Sequence, residues 1–107
     1  MTPRGAAGAS ARYSVGISLM VSPETEATVE YIRAHQSNAI IDFRDVFYKI
    51  EREGFLAFEM DEIAEYLGRA LDTTVFLVSM SSYYGRIVVS DGKVEIFSAI
   101  VPPRFQD

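Results

Sequence analysis

His35 is the only histidine among 107 residues, and there is no cysteine. The side chains that most often ligate metals or act as nucleophiles are therefore nearly missing. One imidazole without a thiolate gives poor support for a zinc site and leaves an iron–sulfur cluster no ligands. Glu62 and Glu65 stand three residues apart, but no Glu-x-x-His occurs, the pattern that a carboxylate-bridged diiron site on a helical bundle uses. With Asp61 they read as the acidic start and solvated face of a helix. His35 falls where a helix should end, which suits capping or the helix dipole better than chemistry. Ser81 and Ser82 have no adjacent base and no G-x-S-x-G setting. Neither G-x-G-x-x-G nor G-x-x-x-x-G-K-[ST] is present. The sequence predicts no catalytic residue, no metal and no cofactor, and a protein that is not an enzyme.

One stretch stands apart: Ser79, Met80, Ser81, Ser82, Tyr83, Tyr84, Gly85 and Arg86. Small hydroxyls, two adjacent aromatics, a glycine and an arginine lie together between two apolar runs. Tyr and Arg are enriched at protein-interface hot spots. The stretch reads either as a contact surface or as a bend with one buried tyrosine. Met20, Met60 and Met80 read as core filling first and adaptable contact second.

The elements that must position these residues follow from periodicity. Residues 13–20 alternate Val15, Ile17 and Leu19 against smaller side chains, a half-buried strand. Ser22 caps a helix to about His35, with Pro23 at its first position, acidic Glu24 and Glu26 behind, and Thr25, Val29 and Ile32 on one side. Residues 38–43 and 46–52 read as strands about Arg44-Asp45, and 55–59 as a strand after the Glu53-Gly54 turn. Asp61 opens a second helix whose Ile63, Tyr66, Leu67 and Ala70 share a face, with Gly68 near its end. Residues 75–80 are apolar on both alternating faces, as in a central strand. Residues 81–85 read as a bend, and 87–90 and 94–98 flank Asp91-Gly92, a type I′ hairpin signal. Pro102-Pro103 ends regular structure. The fold class is α+β: two β-α-β-β units, the second with one extra strand, in mainly antiparallel sheets. One domain over 13–100 is expected, between a flexible tail over 1–12 and a short tail over 101–107.

Hydrophobic residues make up 49% of the chain, with seven Phe and six Tyr, too apolar for disorder. The formal net charge is −5, and Arg4 and Arg12 precede every acidic residue, so the body is more acidic still. Such a body repels nucleic acid and anionic membranes and suits a basic protein partner, or simply serves solubility. Residues 1–12 lack the apolar core of a signal peptide, and no apolar run reaches transmembrane length. A cytoplasmic location is the default.

Three runs carry a resemblance. They are residues 61–69, which end in Leu67-Gly68-Arg69, residues 76–82, and Gly85-Arg86. Together they resemble the coupling (effector) protein family of soluble diiron monooxygenases, the regulatory components of methane, phenol, toluene, alkene and propane monooxygenases. The spacing Val78-x-x-Ser81-Ser82-x-x-Gly85-Arg86 looks closest to the methane, alkene and propane branches. Tyr83 stands where the methane type has a smaller residue, and the tail before residue 13 is shorter, which favours a propane or alkene type. The resemblance covers about residues 13–100. It implies a monooxygenase regulatory protein-like fold without a cofactor and a diiron hydroxylase as partner; the acidic body already argues against nucleic acid and membrane as partners. It also implies that such a protein tunes how substrate, oxygen and electrons reach the iron centre. It implies that Ser79, Ser81, Ser82 and Tyr83 face the hydroxylase, with Arg86 closing the motif; together with Tyr84 and Gly85 of the same stretch they are the expected partner-binding residues. Two other readings of the residues stay open. One is a small-ligand-binding sensor domain of ferredoxin-like type, which would need a convergent polar pocket. The other is a small hydrolase or isomerase using His35 and a carboxylate.

Overall fold

The alternation of Val15, Ile17 and Leu19 is realised in strand β1 (Ser14–Met20), where all three are buried. The computed structural model describes residues 14–98; the expected tails over 1–12 and 101–107, and Pro102-Pro103, lie outside the described residues. Helix α1 (Pro23–His35) follows, and its start is local chemistry: the Ser22 side chain accepts from the Thr25 N–H at 3.0 Å. Thr25, Val29 and Ile32 are buried, as their spacing requires. Strands β2 (Ile40–Arg44), β3 (Phe47–Glu53) and β4 (Phe55–Glu59) then run in succession. Asp45 takes a left-handed φ of 58° in the β2–β3 turn. Helix α2 (Met60–Leu67) ends on Gly68, whose φ of 86° makes the expected left-handed cap. Asp61 does not cap it: the helix begins at Met60, whose N–H donates to the Gly92 carbonyl at 3.0 Å.

Two expectations fail in the next stretch. Residues read as a central strand form helix α3 (Thr73–Ser79), and residues read as a bend form strand β5 (Met80–Tyr84). The Asp72 side chain accepts from the Val75 N–H at 2.9 Å and caps α3. Phe76 is buried and Thr73, Leu77, Ser79 and Met80 are half-buried; Thr73, Phe76, Leu77 and Met80 form a helical i, i+3, i+4, i+7 stripe. Phe76 is buried with its ring 5.1 Å from that of Phe58. Packing on this stripe overrides the strand preference of the β-branched residues. β5 exists because β1 still has an unpaired edge to satisfy.

Strands β6 (Arg86–Ser90) and β7 (Lys93–Phe97) make the closing hairpin. Its turn is not type I′, which needs positive φ at both central residues; of Asp91 and Gly92, only Gly92 has it, at 77°. Tertiary bonds shape this turn: besides Met60, Thr73 Oγ1 accepts from the Gly92 N–H at 3.1 Å.

All strand pairs are antiparallel. One sheet has the order β2-β3-β1-β5 and the second β4-β7-β6. Each β-α-β-β unit supplies one sheet, and the extra strand, β5, crosses back to the sheet of the first unit. The core takes Val15, Ile17 and Leu19 from β1, Ile50 from β3, Leu56 and Phe58 from β4, and Val94 and Ile96 from β7. Tyr31 and Ile32 of α1, Ile63 of α2 and Phe76 of α3 complete it. Gln36, buried after α1, bonds the edge of the second sheet. Its Nε2 donates to the Ala57 carbonyl at 2.8 Å, and its Oε1 accepts from the Ala57 N–H at 3.2 Å.

Candidate functional site

The stretch singled out in the sequence spans three elements. Ser79 is the last residue of α3, Ser81 to Tyr84 lie on β5, Gly85 is the joint, and Arg86 opens β6. β5 is the end strand of its sheet, so the strand side away from β1 is an edge among the described residues. Its pairing with β1 runs Gly16↔Tyr84, Ile17↔Tyr83, Ser18↔Ser82 and then Leu19↔Met80. Ser81 is therefore an extra residue, a β-bulge of the kind that re-aims neighbouring side chains. Its hydroxyl donates to the Ser18 carbonyl at 3.3 Å.

Direct partners in an antiparallel pair share a face. Ser82 and Tyr84 thus lie on the outer face with Ser18 and Gly16. Tyr83 lies on the core side with Ile17, yet at the sheet's end it stays 44% exposed. The Tyr84 ring crosses β1 directly above Gly16, where a Cβ would stand 2.3 Å from its Cε1. Its hydroxyl donates a short hydrogen bond to Glu51 on β3. Burial, then this bond and the carboxylate charge, hold the Tyr84 pKa well above the usual tyrosine value. Sequence reasoning missed the Gly16 and Glu51 ends of this strap. The available signal was a glycine inside a strand, which often marks a close approach.

Gly85 has a φ of 116°, and a Cβ there would meet Ile96 Cγ2, the Phe97 carbonyl and Val15 Cγ1 at 2.8–2.9 Å. No other residue type lets the chain pass between the two sheets at this point. Arg86 is exposed and lies over the Phe97 ring. A depression of about 280 Å³ opens on the outer face beside β5, lined by Ser18, Ser82, Tyr84, Phe47, Lys49 and Arg44 among others. Its cations are occupied: Arg44 pairs with Asp42 at 2.7 Å and Lys49 with Glu51 at 3.5 Å.

His35 lies apart from this segment. Its ring centroid is 4.8 Å from that of Tyr31, and its Nε2 is 3.8 Å from Glu62. It occupies the last turn of α1, but Gln36 takes the cap position. Asp61, Glu62 and Glu65 are exposed. Among the described residues no group of three or more His, Cys, Asp or Glu side chains is placed to hold a metal. Met60 is buried, whereas Met20 is 41% exposed. Arg69, which follows the cap of α2, reaches Glu24 at the start of α1 at 2.7 Å. Backbone hydrogen bonding lowers the Glu24 pKa; burial opposes that, and the Arg69 charge lowers it further.

The arrangement defines a small α+β protein whose distinctive feature is an exposed, bulged edge strand joined by one glycine to a second sheet. The chain belongs to the MmoB/DmpM family, whose model matches residues 13–97. The propane 2-monooxygenase effector component of Mycolicibacterium smegmatis is 28% identical over 94 residues, covering 86% of this chain and 82% of the relative. Its counterpart in Rhodococcus jostii is 26% identical with the same coverage. The solved structure of the soluble methane monooxygenase regulatory protein B is similar with a TM-score of 0.62 at 27% identity, over 88% of this chain and 72% of that one. A chain in a phenol hydroxylase–regulatory protein complex shares the fold, with a TM-score of 0.71 at 19% identity over 78% of this chain and 97% of its own length. With these relatives, the chain is an effector or regulatory component of the multicomponent monooxygenases and not a catalytic subunit. No helix among the described residues is long and apolar enough to cross a membrane.

Proposed function

We propose that this protein binds the diiron hydroxylase of a bacterial multicomponent monooxygenase in the cytoplasm. Bound there, it tunes the access of substrate, oxygen and electrons to the diiron centre, and the substrate is a short-chain alkane or alkene. The observation that carries the reading is the edge strand β5, which lies within the family match and holds the segment from Ser79 to Arg86 on an accessible border. The propane effector relatives support the substrate class.

A protein without reaction chemistry can change a reaction only by preferring one conformation of its partner over another. β5 is built for close approach to helices. Ser81 and Ser82 are small, and the bulge presents Ser81 away from the regular ladder. Tyr83 supplies rigid contact area at the border. Tyr84 and Gly85 set the position of the strand, and Arg86 extends the surface onto the second sheet.

The test is turnover by the reconstituted hydroxylase and reductase, titrated with the parent protein and with Tyr83→Ala. The variant is expected to fold normally and to bind more weakly, by about 1–3 kcal/mol if Tyr83 is a hot spot. The relative turnover of small and large hydrocarbons should shift as well. Enlarging Ser81 or Ser82 should hinder binding. Variants at all three positions that fold and activate like the parent would place the contact surface elsewhere.

A further inference from the structure

A row of four side chains crosses the outer face of the second sheet. The guanidinium carbon of Arg86 lies 5.6 Å from the Phe97 ring centroid. Phe97 stacks on Phe55 at 6.1 Å with an interplanar angle of 22°. The guanidinium carbon of Arg52 lies 4.8 Å from the Phe55 centroid. Register builds the row: Phe97 is the direct partner of both Phe55 and Arg86, so the three side chains share a face. Arg52 joins from the end of β3, across the Gly54 turn. It is held in place by bonds to Asn38 Oδ1 and Gln36 Oε1, both at 2.9 Å.

The charges at the two ends are uncompensated. Arg44, Lys49, Arg69, Lys93 and His35 each lie within 4 Å of a carboxylate. Arg33, Arg52 and Arg86 have no such partner among the described residues, although the chain carries fifteen acids against ten bases. Of these, Arg52 and Arg86 lie over phenyl rings. Arg86 keeps its donors for a second group, whereas Arg52 has committed its Nε to Asn38 and one Nη to Gln36 and offers its charge and the other Nη. Phe55 between them is 40% exposed, an apolar surface that gains by being covered.

We infer that this row is a docking strip for an acidic segment of the protein partner, with carboxylates meeting Arg52 and Arg86 and apolar contact on Phe55 and Phe97 between them. The inference rests on the reading that the chain binds a hydroxylase, and it names the chemistry of a second contact on that partner. The strip begins at Arg86, where the β5 segment ends, so one partner can cover both. The Arg86 fork can pair a carboxylate with two parallel bonds, which fix orientation as well as attraction, and Arg52 adds charge and a single Nη donor at the other end. An arginine strip on an acidic body makes a polarised surface. A partner with the complementary pattern, acidic stripe within basic surroundings, docks in one orientation and is repelled in others. A polyphosphate would satisfy the two arginines but be repelled by the net charge of −5.

The experiment measures hydroxylase affinity by titration calorimetry at low and high salt for the full chain, Arg86→Gln, Arg86→Lys, and Arg52→Gln with Arg86→Gln. The double variant should bind about tenfold more weakly, as loss of an interface arginine commonly does, with a flatter salt dependence. Arg86→Lys keeps the charge without the fork and should fall between parent and Arg86→Gln. Arg52 also holds Gln36 and Asn38, so its loss can disturb folding. Arg86→Gln alone guards against that, because Arg86 is exposed on the sheet surface and its unfolding temperature should match the parent's. Parent-like affinity and salt slope in Arg86→Gln and the double variant would overturn the strip. If Tyr83→Ala weakens binding while the arginine variants do not, the strip alone falls. If the parent itself does not bind hydroxylase, the functional reading falls and takes the strip with it.

Discussion

Tyr84 anchors the border of a sheet two strands inward. Its ring passes over Gly16 and its hydroxyl donates to Glu51, so the position of β5 depends on three residues on three strands. The raised pKa of Tyr84 gives this strap a pH signature. A folded-state pKa above the unfolded value stabilises the fold fully below the unfolded pKa of about 10. That contribution is lost as pH rises from there through the folded value. Tyr31 and Tyr48 are raised as well, the first mainly by burial and the second mainly by its bond to Glu26. All three therefore weaken the fold in alkali. Tyr84→Phe should lower stability at pH 7 but lose less of what remains above pH 10 than the parent does. Urea midpoints from pH 8 to 11 check this, and parallel curves for the two proteins would remove the strap from the explanation. In the sequence Gly16 passes for one more small residue in the alternation of β1, which is why the strap is not legible there.

At the level of elements, local signals proved readable and non-local ones did not. β4 falls at residues 55–59, as expected from the Glu53-Gly54 turn, and α1 starts where Ser22 and Pro23 place it. Both are decided by neighbours in sequence. α3 carries a β-branched apolar run whose fate depends on Phe58 and on the Asp72 cap. Its helical stripe of Thr73, Phe76, Leu77 and Met80 was legible, but the competing alternation hid it. β5 has no local signature beyond two tyrosines, because its strand form depends on the free edge of β1. The candidate segment could thus be found by composition while its shape could not, and Phe55 and Phe97 meet only through register. Asp72→Ala tests the cap: it should cost about 1 kcal/mol of stability, read from the unfolding midpoint, with a loss of helical circular dichroism. An unchanged midpoint would mean that packing of Phe76 alone holds α3.

For the molecule as a whole, charge and edges decide how it meets others. Glu30, Asp61, Glu62 and Glu65 are exposed on α1 and α2, consistent with a net charge of −5. If this field steers docking on the hydroxylase, association should slow as salt rises, since exposed charges are screened beyond about 10 Å at 0.1 M. Stopped-flow rates that stay flat with salt would remove steering and leave docking itself untouched. Edges set a different limit. β4 and β6 terminate the second sheet, and molecules with two open sheet borders can add to one another end to end. To β4, the amide of Gln36 is a counterfeit strand one residue long: it gives and takes the hydrogen bonds that a neighbour would exchange with Ala57. A filament in which β6 of one copy zips onto β4 of the next finds that rung already taken.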